Sequence, residues 1–115
     1  MTRARILVVD NEPGMLEVCA ETLHQMNNAE VITENDSRRA GEMVAQGHYD
    51  LLIADIRMPG LNGMDLLRLA RQHDPQLPVL MLTAFPSVET AVESMKHGAA
   101  DYLTKPFLPD DLLAT

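Results

Sequence analysis

The chain has 115 residues, 46% of them hydrophobic and 23% charged, a composition that suits one globular domain and excludes a disordered or fibrous chain. Its formal net charge is −8, with 17 acidic and 9 basic residues and no long basic block. Affinity for phosphate backbones needs clustered Lys and Arg, so we expect no direct nucleic-acid binding by this domain.

The cysteine content and the N-terminal segment indicate the compartment. Cys19 is the single cysteine, so an intrachain disulfide is excluded and a reducing compartment is permitted. The apolar run before Asp10 is too short for a signal peptide or a membrane span. We therefore expect a cytoplasmic protein that has no contact with a membrane.

The first strand is predicted at residues 6–9, where an apolar run ends directly at Asp10. Pro13 suits the first turn of a helix. The helix that follows carries apolar residues at helical spacing: Leu16, Cys19, Leu23 and Met26. A short second strand is predicted at residues 29–33, so strand and helix begin to alternate.

The second helix is predicted to begin at Asp36 or Ser37, either of which can cap it, and to end at Gly47. Its expected inward residues are Ala40, Met43 and Val44. The third strand is predicted at residues 49–55 and lacks polar alternation, which is typical of a strand buried on both faces of a parallel sheet. Asp55 then stands at the carboxyl end of this strand.

The third helix is predicted to begin at Asn62 and to carry Leu66, Leu67 and Ala70. Residues 79–82 form the predicted fourth strand, which ends next to Thr83. Ser87 is predicted to start a fourth helix that ends at Gly98. Its apolar residues, Val88, Ala91, Val92 and Met95, fall at helical spacing and are expected to pack in the core.

The fifth strand is predicted at residues 101–103 and runs into Lys105-Pro106. A fifth helix is predicted to begin at Pro109-Asp110 and to be cut short at Thr115. We therefore expect residues 1–115 to be a single domain and a fragment of a longer protein.

Strict alternation of strand and helix predicts an α/β fold with a doubly wound, five-stranded parallel sheet and helices on both faces. The expected strand order is 2-1-3-4-5, the flavodoxin-like arrangement. In this order the first and third strands are neighbours, and their carboxyl ends meet at the point where the strand order reverses. Ligands of open α/β sheets bind at that point.

Polar residues follow four of the five predicted strands at their carboxyl ends. Asp10 follows the first strand, Asp55 ends the third, Thr83 follows the fourth and Lys105 follows the fifth. Taken singly, the acids serve as caps, the threonine as a turn residue and the lysine as a solvated charge. Their joint occurrence at successive strand ends favours a functional site.

This set of groups suits phosphoryl transfer. Acids placed side by side repel, so a cation is expected between them, and oxygen ligands favour Mg²⁺ or Mn²⁺ over zinc. Lys105 can neutralise phosphoryl oxygens, Thr83 can donate a hydrogen bond to one of them, and Asp55 can attack phosphorus to form an acyl phosphate.

Four segments carry a resemblance to a known family: ILVVDNEPG, YDLLIADIRMPGLNGMDLL, VLMLTAF and GAADYLTKPF. Together they resemble the receiver domains of the response regulators of bacterial two-component systems, over nearly the whole chain. The segment TAFPSVETAVESMKHGAADYLTKPF is similar to receivers of nitrogen-regulator-type transcription activators.

The resemblance implies a phosphorylation-activated signalling switch. A sensor histidine kinase would offer a phosphohistidine, Asp55 would accept the phosphoryl group, and Thr83 and Lys105 would contact it. The implied metal ligands are Asp10, Asn11, Asp55 and the backbone carbonyl of Arg57. Such a domain is regulatory, catalysing only its own Mg²⁺-dependent phosphotransfer and dephosphorylation, and it controls an output domain that is expected to regulate transcription.

The resemblance also implies how the signal spreads. Thr83 would move toward the phosphoryl group and Tyr102 would fill the space left behind, which reshapes the face of the fourth helix, fifth strand and fifth helix. We expect any homodimer to form through this face. Phe107, Leu108 and the residues around His97 are the expected partner surface.

Asn11 departs from the family pattern, which usually has a second acid at this position. We expect weaker Mg²⁺ binding with phosphoacceptance retained, and the alternative is a receiver-like protein-interaction module that works without phosphorylation. A metal-dependent phosphatase would need an acid two residues after Asp55, where Arg57 stands. A flavin-binding protein is disfavoured because no Ser/Thr-Gly phosphate cradle follows the first strand.

Overall fold

The computed structural model describes residues 4–10, 29–56, 62–83 and 87–104. Within them the strands are β1 (Ala4–Val9), β2 (Ala29–Glu34), β3 (Leu51–Asp55), β4 (Val79–Thr83) and β5 (Asp101–Thr104). All pairings are parallel, in the order β2-β1-β3-β4-β5, so the predicted sheet is confirmed. The first and fifth predicted helices lie outside the described residues.

The central strands form the hydrophobic core. Every residue of β4 is buried, as is every residue of β3 after Leu51. Continuous apolar runs fit this position because helices cover a parallel sheet and leave little solvent-facing surface. The third strand begins at Leu51 rather than at residue 49, since Tyr49 lies before the pairing with β1 starts.

Three helices lie in the described ranges: α1 (Ser37–Gln46), α2 (Gly63–His73) and α3 (Val88–Lys96). They are the second, third and fourth predicted helices. Each begins at a predicted cap: Asp36 accepts hydrogen bonds from two backbone amides of α1, Asn62 forms a capping box with Asp65, and Ser87 accepts from the amide of Thr90. These side chains satisfy amide groups that the first helical turn leaves without a partner.

The start of α2 lies very close to the end of β3. A Cβ atom added at Gly63 would lie 2.4 Å from the carbonyl oxygen of Asp55 and 2.8 Å from the Cα atom of Ile56. The Gly63 amide donates a hydrogen bond to the Ile56 carbonyl at 3.0 Å. Gly63 therefore lets the helix approach the backbone that carries Asp55.

The prediction that the apolar residues of α3 pack in the core is wrong. Val88, Val92 and Met95 are 80%, 59% and 52% exposed, and Ala91 is half-buried. The fully buried residue of this helix is Ser94, whose hydroxyl donates a 3.5 Å hydrogen bond to the sulfur of Met64. The spacing correctly placed Val88, Val92 and Met95 on one side of the helix, but that side faces outward, and Ser94 is buried against Met64 of α2 instead.

The C-terminal end of α3 is closed by a left-handed residue. Gly98 has φ of +93°, a conformation that costs glycine little, and its amide donates to the Met95 carbonyl. Arg71 of α2 packs against it, with its Cδ and Nε atoms 3.3 Å from the place where a Cβ would stand. The Arg71 guanidinium also donates to the carbonyls of Pro75 and Leu77, so it ties the end of α2 to the loop before β4.

Candidate functional site

Three of the predicted site residues lie at the same edge of the sheet. Asp10 follows β1, Asp55 ends β3 and Thr83 ends β4, and these strands are neighbours. Val9 pairs with Ala54, so Asp10 continues the register to stand beside Asp55. Asp55 pairs with Leu82, which places Thr83 one residue further along β4. The strand pairings therefore bring the backbones of Asp10, Asp55 and Thr83 to the carboxyl edge of the sheet, at its switch point.

All three side chains are buried. Asp10 is fully buried, and Asp55 and Thr83 are 4% and 1% exposed. The surrounding strand residues are apolar, and burial of carboxylates in such surroundings costs free energy unless other groups stabilise their charge. Their burial suits a site that holds a cation or receives a polar group.

Backbone hydrogen bonds fix the strand ends that carry these side chains. The amide of Asp10 donates to the Glu34 carbonyl at 3.2 Å, and the amide of Ile56 donates to the Leu82 carbonyl at 2.8 Å. The first bond joins β1 to β2 and the second joins β3 to β4. The carboxylates of the site therefore stand on paired strands rather than on free loops.

Thr83 and Tyr102 belong to the same face of the sheet. Met81 pairs with Tyr102 and Thr83 pairs with Thr104, and residues two apart in a strand point to the same side. Tyr102 is partly buried and packs against the core. The two predicted switch residues thus share one face, whereas Asp55 pairs with Leu82 and belongs to the other.

The remaining predicted site residues, Asn11, Arg57 and Lys105, lie outside the described residues, as do Phe107 and Leu108, and their roles stay predictions. Within the described ranges no cluster of three or more His, Cys, Asp or Glu side chains could hold a metal ion. Asp10 and Asp55 supply carboxylate oxygens, the ligand type that Mg²⁺ and Mn²⁺ prefer. The donor atoms of the described part therefore fit the expected cation.

Sequence reasoning missed two residues near the site. Gly63 was passed over, although a glycine directly after the cap residue of a helix signals a close backbone approach. Thr90 was also missed: its hydroxyl lies 2.8 Å from the Tyr102 hydroxyl. No sequence pattern reports that contact, because it joins a helix to a strand.

Fold and site together define a flavodoxin-like α/β domain with buried carboxylates at the switch point of its sheet. Residues 6–115 match the family model of the response regulator receiver domain, and the chain belongs to that family. The predicted resemblance is therefore confirmed, and the chain is a regulatory domain of the two-component type.

Curated relatives agree with this assignment. The response regulator protein PilR of Pseudomonas aeruginosa is 39% identical over 92% of this chain and 24% of its own length. The regulatory protein AtoC of Escherichia coli is 39% identical over 94% and 23%, and the transcriptional regulatory protein ZraR of Escherichia coli is 40% identical over 96% and 25%. These relatives are in agreement with the resemblance to nitrogen-regulator-type activators.

Solved structures agree as well. The CheY-like receiver domain protein of Methanospirillum hungatei has a TM-score of 0.92 at 29% identity, covering 98% of this chain and 90% of that one. The chemotaxis protein CheY4 of Vibrio cholerae has a TM-score of 0.88 at 31% identity, covering 98% and 95%.

The chain spans about a quarter of the length of the curated relatives named here. In the part of the chain that the structure describes, no helix is long and apolar enough to cross a membrane.

Proposed function

We propose that this domain is a phosphorylation-activated switch and that Asp55 accepts a phosphoryl group from the phosphohistidine of a sensor histidine kinase. The observation that carries the proposal is the burial of Asp10 and Asp55 side by side at the carboxyl edge of the sheet, with Thr83 on the next strand. Family membership supports it.

The proposed reaction is a transfer between two side chains. A carboxylate oxygen of Asp55 attacks phosphorus, the bond from phosphorus to the kinase imidazole nitrogen breaks, and that nitrogen keeps the electron pair. The Thr83 hydroxyl donates a hydrogen bond to a phosphoryl oxygen, and the Lys105 ammonium neutralises another. The product is an acyl phosphate, which adds roughly 1.5 to 2 negative charges at Asp55.

The proposed ligands of Mg²⁺ or Mn²⁺ are the carboxylates of Asp10 and Asp55, the side-chain oxygen of Asn11 and the backbone carbonyl of Arg57. When bound, the cation neutralises charge on the phosphoryl group during transfer. Asn11 supplies a neutral oxygen where a second acid is usual in the family, so we expect this chain to need a higher Mg²⁺ concentration than an Asn11→Asp variant.

We further propose that the chain is one domain of a longer, cytoplasmic regulator whose output domain acts on transcription. The names of the relatives and the short share of their length that this chain spans support this. A homodimer would form through α3, β5 and the predicted fifth helix. The exposed Val88, Val92 and Met95 on α3 supply apolar area for such a contact.

Phosphorylation is tested by incubating the protein with acetyl phosphate and Mg²⁺ and measuring its intact mass. We expect one phosphoryl adduct in the wild-type protein and none in Asp55→Asn. Asp50→Asn is the matched control, because Asp50 lies near the opposite end of β3, with its carboxylate bonded to the amide of Arg5. No adduct on the wild-type chain with either Mg²⁺ or Mn²⁺ would refute phosphoacceptance.

Substitution of Asn11 distinguishes the proposed phosphorylation switch from an interaction module that works without phosphorylation. If only the metal affinity is reduced, Asn11→Asp lowers the Mg²⁺ concentration for half-maximal adduct formation and leaves the final yield unchanged. An adduct that appears only in Asn11→Asp would show that this chain has lost the reaction and favour the interaction module.

A further inference from the structure

The large apolar side chains of α3 contribute little to the core that the structure describes. The fully buried residue of this helix is Ser94, and Val88, Val92 and Met95 project outward. Burial of apolar area is the main stabilising contribution for most surface helices. Among the residues that the structure describes, the position of this helix therefore depends largely on polar contacts.

Those polar contacts differ in how much they contribute to the stability of α3. Arg68 of α2 lies 3.7 Å from Glu93 of α3, but both side chains are about half exposed, and ion pairs of this kind contribute little. Arg71 packs against Gly98 at the C-terminal end. The contact that joins α3 to the sheet through side-chain hydroxyls is at its N-terminal end, between Thr90 and Tyr102.

The hydroxyls of Ser87, Thr90 and Tyr102 form a connected group. Thr90 Oγ1 lies 2.8 Å from the Tyr102 hydroxyl and 2.9 Å from Ser87 Oγ. The Ser87 amide donates to the Tyr102 hydroxyl at 3.4 Å. Ser87 Oγ in turn accepts from the Thr90 amide at 3.1 Å, which is the N-cap bond of α3. The cap of the helix and the tyrosine of β5 are thus parts of one hydrogen-bonded group.

We propose that Thr90 is a positioning residue of the switch: its hydroxyl couples the side chain of Tyr102 to the first turn of α3. Tyr102 cannot leave its place without breaking the bond to Thr90, and α3 cannot shift without moving that bond. This inference rests on the proposed function. It assumes that phosphorylation of Asp55 moves Thr83 and Tyr102, and it assigns to Thr90 the role of passing that movement to the exposed face of α3.

Thr90 offers a clean substitution. Valine has the shape of threonine without the hydroxyl, so Thr90→Val removes the hydroxyl contacts to Tyr102 and to Ser87. It retains the backbone amide that Ser87 caps. Thr90→Ser keeps the hydroxyl. A lost hydrogen bond of this kind changes an equilibrium by about 2- to 10-fold, and the exchange of the α3 amides reports that change directly.

The coupling is tested by amide hydrogen exchange of α3, without any phosphoryl donor. We expect Thr90→Val and Tyr102→Phe each to speed exchange in α3 by about 2- to 10-fold, and Thr90→Ser to keep exchange slow. Because both substitutions remove the Thr90–Tyr102 contact, the effect of the double variant should be smaller than the sum of the two single effects in free energy. Tyr49→Phe, at the other end of the sheet, is the control and leaves α3 unchanged. Additive effects of the two substitutions would overturn the coupling.

The link to phosphorylation is tested by tyrosine emission. The chain has two tyrosines and no tryptophan, so in Tyr49→Phe all emission comes from Tyr102. We expect acetyl phosphate and Mg²⁺ to change this emission, and Thr90→Val to reduce the change at least 2-fold at equal adduct yield by mass. An unchanged response in Thr90→Val overturns the role of Thr90 while leaving phosphoacceptance intact. Absence of an adduct instead refutes the proposed function, and with it this role.

Discussion

Gly63→Ala tests whether the close approach of α2 to β3 is required. The new Cβ would lie 2.4 Å from the Asp55 carbonyl oxygen and 2.8 Å from the Ile56 Cα atom, both below any normal contact. These are backbone atoms of a paired strand, so no side-chain rotation relieves the clash. Either α2 moves outward or the end of β3 moves.

The expected cost follows from two opposing effects. Overpacking of this kind costs about 1–3 kcal/mol, whereas replacing glycine by alanine in a helix stabilises it by at most about 1 kcal/mol. We expect a net loss of about 1–2 kcal/mol in the free energy of unfolding. For a chain of this size the melting temperature then falls by roughly 5 °C or more.

Urea unfolding followed by circular dichroism measures this loss. Gln72→Ala, at an exposed position of the same helix, is the control and should stay within about 0.5 kcal/mol of wild type. Because the clash is with the backbone of Asp55, phosphorylation by acetyl phosphate should also slow in Gly63→Ala at temperatures where it is fully folded. A variant as stable as wild type would refute the steric reasoning.

Substitutions at three further positions test the ends of the helices, each measured by urea unfolding. Gly98→Ala should destabilise the domain by about 1 kcal/mol or more because φ is positive there, and Gly98→Asn by less, since asparagine tolerates that conformation; equal losses would contradict this. Asn62→Ala removes the capping box with Asp65 and should cost about 0.5–2 kcal/mol; a neutral result would mean that the cap contributes nothing. Arg71→Met keeps the packing of the stem but loses the bonds to the Pro75 and Leu77 carbonyls, with an expected loss of about 1–3 kcal/mol; full stability would show that water replaces the guanidinium.

Much of the fold follows from local pattern. The apolar runs at residues 6–9, 51–54 and 79–82 predict buried strands because a strand of a covered parallel sheet needs no polar face. Asn62 and Ser87 predict helix starts because their side-chain oxygens cap free amides. Alternation of strand and helix predicts parallel pairing and leaves few strand orders, one of which is the observed 2-1-3-4-5.

The direction in which a helix faces could not be predicted from its period alone. The spacing of Val88, Val92 and Met95 shows that they share a side of α3, but not that this side faces outward. The buried residue of α3 is the small Ser94, and its hydroxyl contacts Met64 of α2, a residue of another helix that the period of α3 does not report. The Thr90–Tyr102 bond likewise exists only once α3 and β5 have packed together.

The outward apolar side of α3 has a practical consequence for handling the isolated domain. An exposed apolar strip on α3, made of Val88, Val92 and Met95, favours association of one domain with another. Each molecule carries a net charge of −8, and the resulting electrostatic repulsion between molecules opposes this association. Salt shortens the range of that repulsion to about 10 Å at 0.1 M. Oligomers should therefore accumulate as ionic strength rises, and Val92→Lys should keep the domain monomeric in high salt.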